Sequence, residues 1–128
     1  VVVYQYRATI LDVIDGDTVH ALVDLGCDVT IKLTLRLAGI NAPELHVGGQ
    51  PNQPGVDAKN HLLSLVDPQV VTSQVPPVVT LSTVKDRREK FGRYLAYLTT
   101  PSGVRVNDQM IADGYAVAWD GRGPRPGG

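Results

Sequence analysis

The chain reads as a mainly β, α+β domain: a five-stranded, partly open β-barrel of the OB type with two to three α-helices. Two observations predict it. Five segments rich in β-branched and aromatic residues are separated by turns built on Gly, Asp and Pro. A stretch with helical spacing of apolar residues falls between the third and fourth of them. With 128 residues the chain is long enough for one domain with a real core. It shows no internal repeat. Residues 1–119 are assigned to the domain, and 120–128 to a flexible tail with four glycines and two prolines.

The first strand is expected over Tyr4–Val13, where Tyr4, Tyr6, Ala8 and Ile10 share one parity. Asp15-Gly16-Asp17 breaks it, and Thr18–Leu25 continues as a second strand. Gly26-Cys27-Asp28 turns the chain into a third strand, Val29–Leu37, so that the three form an antiparallel meander. Gly48–Gly55, with three glycines and two prolines, reads as a loop. A helix over Val56–Val66 would turn Val56, Leu62, Leu63 and Val66 to one face, with Asp57 in the first turn where the macrodipole favours an acid. Pro68 ends it, and Asp67–Pro77 is a connection. The fourth and fifth strands are Val78–Val84 and Gly92–Leu98. A short helix over Asn107–Asp113 would carry Met110 and Ile111 inward, closed by Gly114.

Composition narrows the function classes. The net charge is −1, so the overall basic surplus common in nucleic-acid binders is absent. Positive charge is local: Lys85, Arg87, Arg88, Lys90 and Arg93 crowd into one stretch. Asp86 and Glu89 interrupt it, which favours a solvated loop over a clamp. The lone Cys27 forms neither an internal disulfide nor a multi-Cys metal site. His20, His46 and His61 lack zinc-like spacing. No apolar run is long enough to span a membrane, and no signal-peptide pattern stands at the start. The first residue is Val1 rather than Met, which leaves the compartment open.

The chemistry concentrates in three places. Arg36 lies between Leu35 and Leu37 in an otherwise apolar run, where a guanidinium needs an anionic partner. Glu44 follows Pro43, which stiffens the backbone before it. Arg36 and Glu44 are read as facing one small site that handles a phosphate. Asp15 and Asp17 in the first turn, and Arg93 in the fifth strand, complement them.

Asp-Gly-Asp-Thr-Val (15–19), Arg-Leu-Ala-Gly-Ile-Asn-Ala-Pro-Glu (36–44) and Phe-Gly-Arg-Tyr-Leu-Ala-Tyr (91–97), in that order, resemble the motifs of the staphylococcal nuclease (thermonuclease) family. The likeness runs from about Tyr6 to Ala118. It implies an OB-fold endonuclease: a phosphodiesterase that uses one Ca²⁺ ion to cut DNA and RNA, leaving 3′-phosphate and 5′-hydroxyl ends. By position, it implies Asp17 as a direct metal ligand, Asp15 as a nearby acid and Ala42 as a ligand through its backbone carbonyl. Asn41 stands where the family usually has a second ligating Asp. Glu44 would be the general base, with Arg36 and Arg93 on the scissile phosphate. A nucleic-acid substrate, preferably single-stranded, and a monomer that needs no membrane complete the expectation.

The residue types suit that chemistry. Ca²⁺ takes carboxylate, carbonyl and water oxygens. A water attacking phosphorus needs a base within hydrogen-bond reach. Two planar Arg forks match a phosphate gaining charge in its transition state. Asn41 keeps a carbonyl oxygen but removes a charge, which predicts a weaker metal site than the family norm. Trp119 replaces the family's tyrosines near the nucleotide, and either stacks on a base or caps the core. Tyr94 and Tyr97 are assigned to the core. Two other readings compete with the Ca²⁺ nuclease: a non-catalytic nucleic-acid or protein binding module, and a nuclease using Mn²⁺ or Mg²⁺.

Overall fold

The structure, a computed structural model, describes residues 3–66, 78–84 and 93–119. Strands β1 (Val3–Asp15), β2 (Thr18–Gly26) and β3 (Val29–Leu37) form the expected meander. Three two-residue strands follow, β4 (Ile40–Asn41), β5 (His46–Val47) and β6 (Gln50–Pro51), and then helix α1 (Gln53–Val66). Strands β7 (Val78–Val84) and β8 (Tyr94–Thr99), helix α2 (Val106–Ala112) and strand β9 (Val117–Ala118) complete the described chain.

Five strands close a barrel in the order β1-β2-β3-β8-β7, with β7 returning to β1. Every contact in it is antiparallel except β3 with β8, which run parallel through Leu35–Tyr94, Arg36–Leu95 and Leu37–Ala96. Together with the two helices this is an OB-type α+β fold. Alternate residues fill the barrel: Ala8 and Ile10, Val19, Ala21 and Val23, Leu35 and Leu37, Val79 and Leu81, Ala96 and Leu98 are all buried. Helix α1 closes it with Ala58, Leu62 and Val66, and α2 with Val106 and Met110.

The first strand departs from simple alternation. Irregularities between Ile10 and Asp12 and between Val13 and Asp15 shift the register against β2. Val13 therefore takes the buried place that the parity of Ile10 would give Asp12, and Asp12 is exposed. The strand runs two residues further than expected, to Asp15.

The stretch expected as a loop over Gly48–Gly55 is more ordered than its composition suggests. Gly48 and Gly49 both take positive φ, 60° and 80°, and turn β5 into β6. The helix starts at Gln53 because the Asn52 carbonyl accepts the Val56 N–H, 3.0 Å. Pro54 is no obstacle, since a first-turn residue has no helical acceptor for an N–H. The earlier start moves Asp57 out of the first turn, which holds no acid, and its carboxylate accepts from Gln53 Nε2 at 2.8 Å. The buried face is Gly55, Ala58, Leu62 and Val66, with Val56 and Leu63 at its margins.

Helix α2 starts one residue earlier than expected, with Met110 buried and Ile111 half-buried. Gly114, at φ 84°, follows its C-cap and donates to the Ile111 carbonyl. Asn107 is 1% exposed: it accepts the Leu98 N–H at 3.1 Å and donates to the Ala38 and Ala96 carbonyls at 2.9 Å each. It ties α2 to β8 and to the turn beyond β3. His61 of α1 bonds Asp113 at 2.7 Å and stacks on Tyr115, so it is structural as expected. His20 pairs with Asp12 on the barrel surface at 2.8 Å. The connection 67–77, the basic run 85–90 and the tail 120–128 lie outside the described residues.

Candidate active site

The centre of the site is Asp17, in the two-residue turn between β1 and β2 and 4% exposed. Each oxygen of its carboxylate has a role. Oδ1 accepts the Thr18 hydroxyl at 3.1 Å. Oδ2 accepts the Ala42 N–H at 2.9 Å and lies 3.3 Å from Nη1 of Arg36. Arg36, 7% exposed, also donates to the carbonyls of Leu37 and Ile40, 2.9 Å each. The guanidinium thus braces the turn from β3 to β4 while it neutralises Asp17. The anionic partner that its position demanded is found, and it comes from a turn far away in sequence.

The backbone reinforces this pairing. Thr18 is the cross-strand partner of Arg36, and the Leu37 N–H donates to the Asp17 carbonyl at 2.8 Å. Gly16 is buried because a Cβ there would meet the Cβ atoms of Ala58 at 2.6 Å and Ala42 at 2.7 Å. The turn therefore presses against α1 and the segment after β4, which brings Ala42 under Asp17.

Asp15 ends β1 beside this centre. Its Oδ1 accepts the Asp17 N–H at 3.0 Å. Its carboxyl is pushed up to about 6, first by burial and then by the hydrogen bond and negative charge of Asp17. Asn41 is 5% exposed at the end of β4, where it pairs with Val117 of β9. Ala42 is buried next to it. Among the described residues there is no cluster of three or more His, Cys, Asp or Glu able to hold a metal, so the acids at this centre number two.

Glu44 and Arg93 lie two residues along the chain from Ala42 and from Leu95, which this centre touches. Glu44 is exposed, between β4 and β5, and its carbonyl accepts Nδ2 of Asn52 at 2.8 Å. Arg93 is half-buried immediately before β8, two residues ahead of Leu95, the partner of Arg36 across the parallel seam. The remainder of the third motif, Phe91-Gly92, lies outside the described residues.

Trp119 is half-buried, with its backbone N–H on the Gly39 carbonyl at 2.9 Å and the Cζ of Arg36 6.0 Å from its ring. Tyr94 packs against the core, and Tyr97 carries Arg105 over its ring at 5.4 Å. Sequence reasoning did not single out Thr18, whose buried hydroxyl was legible only as a β-branched strand residue, or Asn52, which was read as loop.

A family model described as staphylococcal nuclease homologue matches residues 34–126. Endonuclease YhcR of Bacillus subtilis (strain 168) is 26% identical over 121 residues, which cover 90% of this chain and 9% of that protein. The chain thus corresponds to a small part of that relative. The family match runs from within β3 through β9, including Arg36, Asn41, Glu44 and Arg93, and with the closed barrel beneath it the chain belongs to the staphylococcal nuclease homologue family.

Proposed function

We propose that the chain is a Ca²⁺-dependent phosphodiesterase that cuts DNA and RNA, preferably single-stranded, to 3′-phosphate and 5′-hydroxyl ends. The observation that carries the reading is the buried Asp17–Arg36 pair with Asp15 and Ala42 against it. An acid pair inside a cationic brace is costly as a purely structural device, and it gains a use if a cation and a phosphate share it.

The donor chemistry fits a hard cation. Asp17 supplies a carboxylate, Asn41 a side-chain carbonyl and Ala42 a backbone carbonyl, while Asp15 adds a second acid close by without ligating. Burial and the charge of Asp17 hold Asp15 protonated to about pH 6, a penalty that a neighbouring cation relieves. When bound, Ca²⁺ would supply a positive centre for phosphate oxygens and attacking water. Glu44 takes the proton of that water. Its exposure keeps it in contact with solvent, and a carboxylate base works within hydrogen-bond reach of the proton it removes. Arg36 and Arg93 hold the phosphate oxygens from opposite sides of the β3–β8 seam, and each offers a planar fork to the charge that builds there.

The test is cleavage of a labelled single-stranded DNA and a matched RNA with Ca²⁺, Mg²⁺, Mn²⁺ or EDTA. Cutting should depend on Ca²⁺ and fall by orders of magnitude in Glu44→Ser, and Arg93→Gln should lose about 10²–10³ in rate. Cutting by Mn²⁺ or Mg²⁺ alone would change the metal assigned. No cutting with any metal would make the domain a binding module.

A further inference from the structure

We propose that Asn52 and Gly55, at the start of α1, are positioning residues for Glu44. The inference rests on the reading of Glu44 as the base.

Glu44 is exposed and lies between two short strands, outside both ladders. The backbone that carries the base is held by α1. Asn52 makes two bonds to it: Nδ2 donates to the Glu44 carbonyl at 2.8 Å, and the Asn52 N–H donates to the Leu45 carbonyl at 2.7 Å. An Asn directly before a helix commonly turns its side-chain oxygen onto the helix N–H groups. Here the amide nitrogen of that side chain reaches across to the segment carrying the base.

Gly55 supplies the surface on which that segment rests. A Cβ at this position would lie 2.0 Å from the Glu44 carbonyl oxygen, 2.5 Å from its carbon and 2.9 Å from the Leu45 Cα. The backbone of Gly55 is ordinary helix, so contact rather than conformation excludes a side chain. Glycine weakens a helix relative to alanine, and the close approach to Glu44 accounts for it here. The helix itself is fixed by Ala58, Leu62 and Val66 in the barrel core. The path from core to base is therefore α1, then Asn52 and Gly55, then the Glu44–Leu45 peptide.

The experiment compares wild type, Asn52→Asp, Gly55→Ala, Glu44→Gln and the double variant Asn52→Asp/Glu44→Gln. Cleavage of a single-stranded DNA oligonucleotide with Ca²⁺ is followed, with kcat and KM resolved and melting temperature measured alongside. Asn52→Asp removes the amide donor but keeps the side-chain size and the backbone N–H bond to the Leu45 carbonyl, so the fold should melt close to wild type. Its kcat should fall by about tenfold to a hundredfold, the scale of an ångström-sized misplacement, with KM little changed. Gly55→Ala should lose kcat likewise. On the Glu44→Gln background, Asn52→Asp should cost nothing further, because its effect passes through Glu44. A wild-type kcat in Asn52→Asp, or the same loss repeated on the Glu44→Gln background, overturns the inference. Undiminished cleavage by Glu44→Gln, or none by wild type, overturns instead the assignment of the base on which it rests.

Discussion

Replacing Asp15 with Asn should stabilise the metal-free protein at neutral pH, although it removes a charged residue from the candidate site. The Asp15 carboxyl is raised from 3.8 to about 6 by burial beside Asp17. A group whose pKa is raised on folding contributes its stability fully below the unfolded value, near 4, and loses it as pH climbs through the folded value. Wild type should therefore weaken between about pH 4 and pH 6–7, while an Asn, which does not titrate, escapes that loss. Two pKa units correspond to a ceiling of about 3 kcal/mol. Asp15 is partly open to solvent, and screening reduces the expected gain to about 1–2 kcal/mol at pH 7. The Asn side-chain oxygen can still accept the Asp17 N–H, so the turn keeps its bond. Urea denaturation in EDTA from pH 4.5 to 7.5 measures the difference. Saturating Ca²⁺ should then reverse the order, because wild type keeps a negative charge beside the cation that the variant lacks. A variant no more stable than wild type at pH 7 in EDTA, or a wild-type pH slope surviving in it, would refute the reasoning.

Three further outcomes follow from the geometry. Asn107→Ala removes the partners of the Leu98 N–H and the Ala38 carbonyl and should cost about 3–4 kcal/mol, read as a lower denaturation midpoint at unchanged slope. Gly16→Ala drives a methyl against Ala58 and Ala42 and should cost about 1–3 kcal/mol, with Ca²⁺ affinity falling too as the Asp17 turn is pushed outward. Asn41→Asp restores a charge beside Asp17 and should tighten Ca²⁺ binding by calorimetry, while equal affinities would remove Asn41 from the metal site.

What the sequence revealed and what it hid divide along physical lines. The long strands were legible because alternation and turn residues are local signals, and Val29–Leu37 and Val78–Val84 match residue for residue. The need of Arg36 for an anion was legible from its apolar neighbours. Asp15 and Asp17 were read as complementing it, but which of the two meets the guanidinium was not legible, since a pairing 19 positions apart depends on the β2–β3 register. The Asp-Gly step was read as a turn signal, and the turn is there, yet Gly16 takes no positive φ and leaves no room for a side chain against Ala58 and Ala42. The start of α1 was hidden because Pro54 and Gly55 carry loop signals. One sits where a missing N–H costs nothing and the other where a side chain has no room. The two-residue strands β4, β5, β6 and β9 are too short to carry a period.

The barrel has two long-range seams, and both must close before the proposed site exists. β1 meets β7 with Val3 opposite Val84, 81 positions away, while β3 meets β8 with Leu35 opposite Tyr94, 59 positions away. Arg93 enters only through the second seam. A chain emerging from the ribosome could therefore hold Asp17, Arg36 and Glu44 well before it gains its second phosphate donor. Such distant closures are slow compared with local hairpins. For a protein proposed to cut RNA, this order of events has a consequence: hydrolytic power arrives only once the segment carrying Arg93 has been made and β8 has docked on β3.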